Sequence, residues 1–120
     1  MGFIDRIRNQ GAPATPVEAD RLAVRQLEGL GADLARPRPV AHFLSTTDEG
    51  VAHASARAAR ELGYEVSIEP PRESDDEWTI RATAERVVHA STIAAFRASF
   101  ERIAEETGAT YEGWEASPRP

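Results

Sequence analysis

A short apolar stretch followed at once by a helix start is the feature that most constrains the fold of this sequence. Residues 40–45, VAHFLS, are partly β-branched and aromatic and follow two prolines, which is typical of a buried strand. Residues 46–49, TTDE, have the spacing of a capping box, so we predict a helix from about residue 47 to Gly63. Its buried stripe is predicted to comprise Val51, Ala54, Ala58 and Leu62.

After Gly63 the sequence alternates between apolar and polar side chains in two segments joined by a polar turn. Residues 64–69, YEVSIE, and 78–83, WTIRAT, predict a hairpin of two half-buried strands around residues 70–76. Residues 84–90 have no clear pattern. Ser91 is predicted to cap a helix that ends before Gly108, and residues 110–115 are strand-like. That helix is predicted to bury Ile93, Phe96, Phe100 and Ile103.

The order of these elements, β-α-β-β-α-β, predicts an α/β (α+β) fold of the ferredoxin-like kind over residues 40–116. Right-handed crossovers give a four-stranded antiparallel sheet in the order 4-1-3-2, with two helices on one face. The face that these two helices leave uncovered is here called the second face. Successive side chains of a strand point to opposite faces of the sheet, so the sequence predicts which residues lie on the second face.

A further helix is predicted ahead of this domain. Residues 1–15 are predicted to be a flexible segment, and residues 16–31 a helix that Thr15 caps and Gly31 ends. Because an apolar stripe has to be buried, this helix is expected to dock on the domain or on a second chain, which would make a homodimer. The stripe is predicted to comprise Val17, Val24, Leu27 and Leu30.

An aromatic pair beside an arginine is the first candidate for a protein-binding surface. Phe43 points to the second face by alternation, and an outward Trp114 would lie near it, with Arg81 one strand further over. Tyr111 and Trp114 differ in parity, so one of them faces inward and the other outward unless Gly113 forms a bulge. Aromatic and arginine side chains are enriched in contact hot spots. The alternative is that the first helix folds back and covers these rings.

Acidic residues in the hairpin turn form the second candidate surface. Glu73, Asp75, Asp76 and Glu77 lie next to two prolines, a composition more typical of a solvated loop than of an acid/base pair. If the second face is not the binding site, this turn is the better candidate, because carboxylates bind the guanidinium groups of an Arg-rich disordered partner.

Residue types that carry catalysis or bind metals are sparse. The sequence has no cysteine, and its three histidines, His42, His53 and His89, do not have the spacing of metal ligands. His42, on the buried side of its strand, is expected to be a core residue. No nucleophile elbow or glycine-rich phosphate loop is present. We therefore predict no cofactor, no metal and no enzymatic activity.

Charge and hydropathy limit the classes of partner. The net charge is −6, which argues against direct nucleic-acid binding, and residues 78–83 lack the aromatic signature of RNA-recognition strands. No stretch approaches the about 20 apolar residues of a membrane span, so we expect a cytoplasmic protein. Two alternatives stay open from the residues alone: a dimeric ligand-sensing module and an RNA-binding domain.

Two short motifs resemble the RraB family, regulators of ribonuclease E activity. They are LGYEV at residues 62–66 and YEGW at residues 111–114, and they occupy matching places in the order of elements. The resemblance covers roughly residues 17–114. It implies a ferredoxin-like sandwich and a non-catalytic role in bacteria, in which the protein binds the carboxy-terminal region of ribonuclease E and inhibits or redirects its cleavage of RNA. The partner implied is ribonuclease E or a related nuclease scaffold.

Overall fold

The computed structural model describes residues 16–31 and 33–118, without the side chains of residues 16 and 17. The predicted flexible segment 1–15, the cap Thr15 and the side chain of Val17 lie outside the described residues. The elements are α1 (Pro16–Gly29), β1 (Arg38–Thr46), α2 (Glu49–Glu61), β2 (Glu65–Glu69), β3 (Trp78–Arg86), α3 (Ala90–Thr107) and β4 (Thr110–Ala116). None of the helices in this part of the chain is long and apolar enough to cross a membrane.

The four strands form one antiparallel sheet in the order β2-β3-β1-β4. This order and the β-α-β-β-α-β sequence of elements after α1 confirm the predicted fold class. β1 lies inside the sheet and pairs with β3 and β4. β3 extends to Arg86, three residues beyond the predicted strand, because residues 84–86 pair with the start of β1. The pairing partner thus orders a segment that has no clear pattern of its own.

The start of α2 differs from the prediction by about two residues. The cap is Asp48, whose Oδ1 accepts a hydrogen bond from the backbone N–H of Val51 at 3.0 Å. Thr46 is instead the last residue of β1. The predicted stripe is therefore only partly right: Leu62 is exposed, whereas Val51 and Ala58 are half-buried against the core. The buried residues are Ala52, Ser55, Ala56 and Ala59, whose small side chains let the helix lie close to the sheet.

α3 buries most of the side chains that were predicted for it. Ile93, Phe100 and Ile103 are buried, and Gly108 ends the helix with a φ of 91°. The predicted cap at Ser91 is wrong, because the helix begins at Ala90 and His89 precedes it. The backbone N–H of His89 donates to Thr92 Oγ1 at 3.0 Å, which satisfies a group that the helix itself leaves without a partner.

α1 docks on α3 of the same chain. The helix ends at Gly29, two residues before the predicted end. Its buried side is formed by Ala19, Asp20, Ala23 and Leu27, whereas Leu30, which was predicted to be buried, is exposed. Leu27 belongs to the same apolar cluster as Val40, Val88, Ile93 and Trp114. All three described helices therefore pack on one face of the sheet.

A β-bulge in β4 changes which aromatic side chains face the helices. Gly113 pairs with Phe43, but the next pair is Tyr111 with Leu44, so Glu112 is an extra residue. Gly113 has a φ of 115°, in the region that favours glycine. Because of this extra residue, Tyr111 and Trp114 lie on the same face of β4 although they are three positions apart, and both point to the helix side. The predicted outward orientation of Trp114 is therefore wrong.

Candidate interaction surfaces

The second face of the sheet brings Phe43 and Arg81 together as predicted. The two residues are directly opposite in β1 and β3, and the guanidinium carbon of Arg81 lies 5.9 Å from the centre of the Phe43 ring. This distance is within the range of a cation–π contact. Phe43 is nevertheless only 9% exposed. The prediction of an exposed aromatic is therefore wrong, and Arg81 is the more exposed member of the pair, being half-buried.

Trp114 lies in the core, where it contacts a buried ion pair. Its side chain is 3% exposed, and its indole Nε1 donates to Oδ1 of Asp20 at 2.9 Å. Asp20 also accepts from Arg97, through Nε at 2.7 Å and through the terminal nitrogen at 2.8 Å. The Asp20–Arg97 pair thus joins α1 to α3, and Trp114 joins both helices to β4. A truncation at Trp114 would disturb folding before it disturbed a surface.

Sequence reasoning missed the Asp20–Arg97 pair because its members are 77 positions apart. One feature could have indicated it: Asp20 falls on the same side of α1 as Ala19, Ala23 and Leu27. A carboxylate on an apolar helix side needs a cationic partner, because burying an unpaired charge is costly. The hydrogen bond from Arg97 to Asp20 in turn raises the pKa of Arg97, so its guanidinium is always charged.

His42 is a core histidine, as the sequence predicted. It is fully buried, and its Nδ1 lies 2.8 Å from the hydroxyl oxygen of Tyr111. Its ring stacks on Phe100 with 4.1 Å between centres. Within the described residues, its Nε2 has no hydrogen-bond partner. Burial, together with the smaller effect of the nearby charges of Arg97 and Arg86, lowers the pKa of His42 to about 3, so the imidazole is neutral near pH 7.

We predict that His42 makes the protein less stable in mild acid. In the unfolded chain its pKa is about 6.5, so only the unfolded state gains a proton as the pH falls below that value. The stabilising contribution is complete above pH 6.5 and is lost progressively towards pH 3. Near pH 4.5 this loss amounts to about 2–3 kcal/mol of the free energy of unfolding. Urea denaturation at pH 7 and pH 4.5 measures it.

The control for this prediction is His42→Phe, which keeps an aromatic ring and every carboxylate. The variant should be less stable at pH 7, because the Tyr111 hydroxyl loses its partner. Between pH 7 and pH 4.5, however, it should lose about 2–3 kcal/mol less than the wild type. Equal losses in the two proteins would show that His42 binds protons equally in the folded and unfolded states over this pH range, which would contradict the prediction.

The hairpin turn carries the predicted contact residues that are fully exposed. Glu73, Asp75 and Asp76 lie between β2 and β3, and all three side chains face solvent. Asp75 Oδ1 accepts from the backbone N–H of Glu77 at 2.9 Å, which fixes the shape of the turn. Trp78 follows directly and is half-buried against the core. We call residues 73–77 the acidic turn; it is a carboxylate cluster beside an aromatic side chain.

The described residues offer no obvious metal chemistry. Within residues 16–31 and 33–118, no three histidine, aspartate or glutamate side chains are close enough to hold a metal ion. On an exposed side of α2, Nε2 of His53 lies 3.5 Å from Oε2 of Glu49. The features that remain as candidate sites are surfaces that a macromolecule could contact.

Comparison with known protein families gives a match that covers most of the chain. The model of the family described as RraB, regulator of ribonuclease activity B, matches residues 17–116. The matched region includes α1 as well as the whole sheet and the two other helices. A comparison with curated proteins finds none that matches this chain. The family match extends over most of the chain, so α1 is part of the matched unit.

Proposed function

We propose that this chain, which belongs to the RraB family of regulators of ribonuclease activity, acts by binding a ribonuclease and not by catalysing a reaction. The observation that carries the proposal is the family match over residues 17–116, which takes in every described helix and strand. The first-choice partner is ribonuclease E, met in the cytoplasm, and the expected effect is inhibition or redirection of RNA cleavage.

The acidic turn is the contact surface that we propose within this function. Of the residues predicted from the sequence, Glu73, Asp75 and Asp76 are the ones whose side chains are exposed. Carboxylates at a turn can bind the guanidinium groups of an Arg-rich segment through charge-assisted hydrogen bonds. Arg81 supplies a second contact on the second face, beside the buried ring of Phe43. Trp114, which is buried in the core, is not part of either surface.

We predict that neutralising the acidic turn weakens ribonuclease binding without unfolding the protein. The variant combines Glu73→Gln, Asp75→Asn and Asp76→Asn, and it keeps the side-chain oxygen that accepts from Glu77. Removing three exposed charges should weaken the complex roughly tenfold at low salt and less at high salt. The melting temperature should stay close to that of the wild type, because exposed substitutions change stability by about 0.5 kcal/mol or less.

A matched control removes three carboxylates elsewhere on the surface. Glu61, Glu105 and Glu106 are exposed at the ends of α2 and α3, and their replacement by Gln changes the net charge equally. This control should bind the ribonuclease as tightly as the wild type does. Equal weakening in both triple variants would mean that overall charge, and not the acidic turn, controls binding.

Affinity capture from the native cell tests the proposed class of function. The wild-type protein should retain ribonuclease E or a protein bound to it, and the acidic-turn variant should retain less. Retention of RNA in place of a nuclease would support an RNA-binding domain. Retention of a small metabolite would support a ligand-sensing module. Either of these results would contradict the regulator proposal.

A further inference from the structure

A groove between α1 and α3 is not used by the proposed function so far. Its volume is about 540 Å³. From its shape and charge we infer that it binds an amphipathic helical segment of another protein, with carboxylates along one flank of that segment. The inference rests on the proposed function in one respect, namely that the chain acts by binding a protein.

The shape of the groove fits a short helix. The wall formed by α3 extends from Ala90 to Glu101, which corresponds to about three helical turns or roughly 16 Å. Up to Glu101, which is also exposed, its exposed lining positions are the small residues Ala90, Ala94 and Ala98. This part of the wall is therefore low, and a second helix could approach it closely. The floor is mostly apolar and includes Ile93, which is buried, and Val24, which is half-buried. The largely buried Asp20–Arg97 ion pair also lines it.

The charges on the rim specify the kind of segment. Arg21 and Arg25 lie one turn apart on the α1 wall, where two like charges slightly destabilise a helix. In the part of the chain that the structure describes, neither guanidinium has an ion-pair or hydrogen-bond partner. The opposite wall ends in Glu101, which is already bonded to Arg97 at 3.3 Å. Although the net charge of the chain is −6, this rim attracts anions.

Two other occupants fit the charges less well. Residues 1–15 contain the apolar side chains Phe3, Ile4 and Ile7, but they carry two arginines and one aspartate, so their charge matches that of the rim. A second copy of α1 would bring Arg21 and Arg25 towards the same residues of its partner. Like charges at an interface oppose association. An acidic segment from a different protein avoids both conflicts.

A charge-swap experiment with two labelled peptides tests this inference. The acidic probe is a designed helix of about four turns with leucines at i, i+3, i+4 and i+7 and glutamates along one flank, and its counterpart has lysines in place of the glutamates. Fluorescence anisotropy should show that the wild type binds the acidic probe. The variant Arg21→Glu/Arg25→Glu should bind that probe at least about tenfold more weakly and should prefer the lysine probe.

Two further variants separate the groove from general charge effects. Ala94→Trp fills the groove at an exposed position and should weaken binding of the acidic probe without changing the rim charge. Arg57→Glu/Arg60→Glu makes the same charge change on exposed positions of α2 and should bind the probe normally. Absence of acidic-probe binding, or equal binding by the Arg21→Glu/Arg25→Glu variant and the wild type, would overturn the inference.

The remaining outcomes are also decisive. If the acidic probe binds only after residues 1–15 are removed, or if the wild type dimerises and Ala94→Trp makes it monomeric, the groove has a different occupant and the inference fails. Measuring how the same variants bind ribonuclease E separates two claims: that the chain binds a ribonuclease, and that the α1–α3 groove binds a helical segment. Normal ribonuclease binding by Ala94→Trp would leave the proposed function intact and remove the groove from it.

Discussion

Trp114→Ala is expected to lower the free energy of unfolding by about 3–5 kcal/mol, the range for removing a large aromatic side chain from a core. Trp114 is 3% exposed and packs with Leu27, Val40 and Ile93. The substitution leaves a cavity between α1, α3 and β4, and it also removes the indole donor to Asp20. Urea denaturation followed by far-UV circular dichroism measures the loss.

The milder variant Trp114→Phe separates packing from hydrogen bonding. It keeps an aromatic ring in the cluster but has no N–H for Asp20, so we expect a loss of about 2 kcal/mol. If Trp114→Ala unfolds at the same urea concentration as the wild type but binds its partner poorly, Trp114 lies on a contact surface after all. That result would contradict the bulge at Glu112 and the inward orientation that follows from it.

Arg97→Met is expected to destabilise the protein by about 3–5 kcal/mol, because it leaves Asp20 as a buried charge without its cation. The two side chains are only 12% and 11% exposed, so water screens their interaction weakly. The guanidinium carbon of Arg97 also lies 5.4 Å from the centre of the Tyr111 ring. Methionine replaces the length of the arginine but none of its hydrogen bonds. Urea denaturation at pH 7 measures the loss, and faster proteolysis within α1 should accompany it.

A double-mutant cycle with Asp20→Asn is the control for this result. If the pair stabilises α1 as the geometry indicates, Asp20→Asn/Arg97→Met should cost at least about 1 kcal/mol less than the two single losses added together. Strictly additive losses would show that Asp20 and Arg97 act independently. In that case the docking of α1 on α3 would depend on Leu27 and its apolar neighbours alone.

The sequence was sufficient for the fold wherever alternation was strong. In β2 and β3 apolar and polar residues alternate, and Val66, Ile68, Ile80 and Ala82 face the helices as predicted. In α2 the buried side consists of alanines and one serine, which differ little in hydropathy from their neighbours, so the larger Leu62 was wrongly predicted to be buried. The position of the cap at Asp48 also depends on how far β1 extends, which its pairing with β3 determines.

The candidate sites were predictable where they depend on local sequence only. The acidic turn is exposed because prolines and acidic residues exclude a helix or a central strand there. The orientation of Trp114 instead depends on one extra residue in the pairing of β4 with β1. Gly113 indicated that a bulge was possible there, but the sequence did not determine whether it forms. The Asp20–Arg97 pair and the α1–α3 groove form only when α1 docks, so a local pattern could indicate that Asp20 needs a cation but not that Arg97 supplies it.

The rate of RNA cleavage by purified ribonuclease E, measured while this protein is added in increasing amounts, tests the central claim most directly. We predict that the rate or the pattern of cleavage changes and reaches a plateau when the complex is saturated, and that the acidic-turn variant requires roughly tenfold more protein for the same effect. Unchanged cleavage together with no detectable complex, at protein concentrations well above those of the enzyme, would contradict the claim.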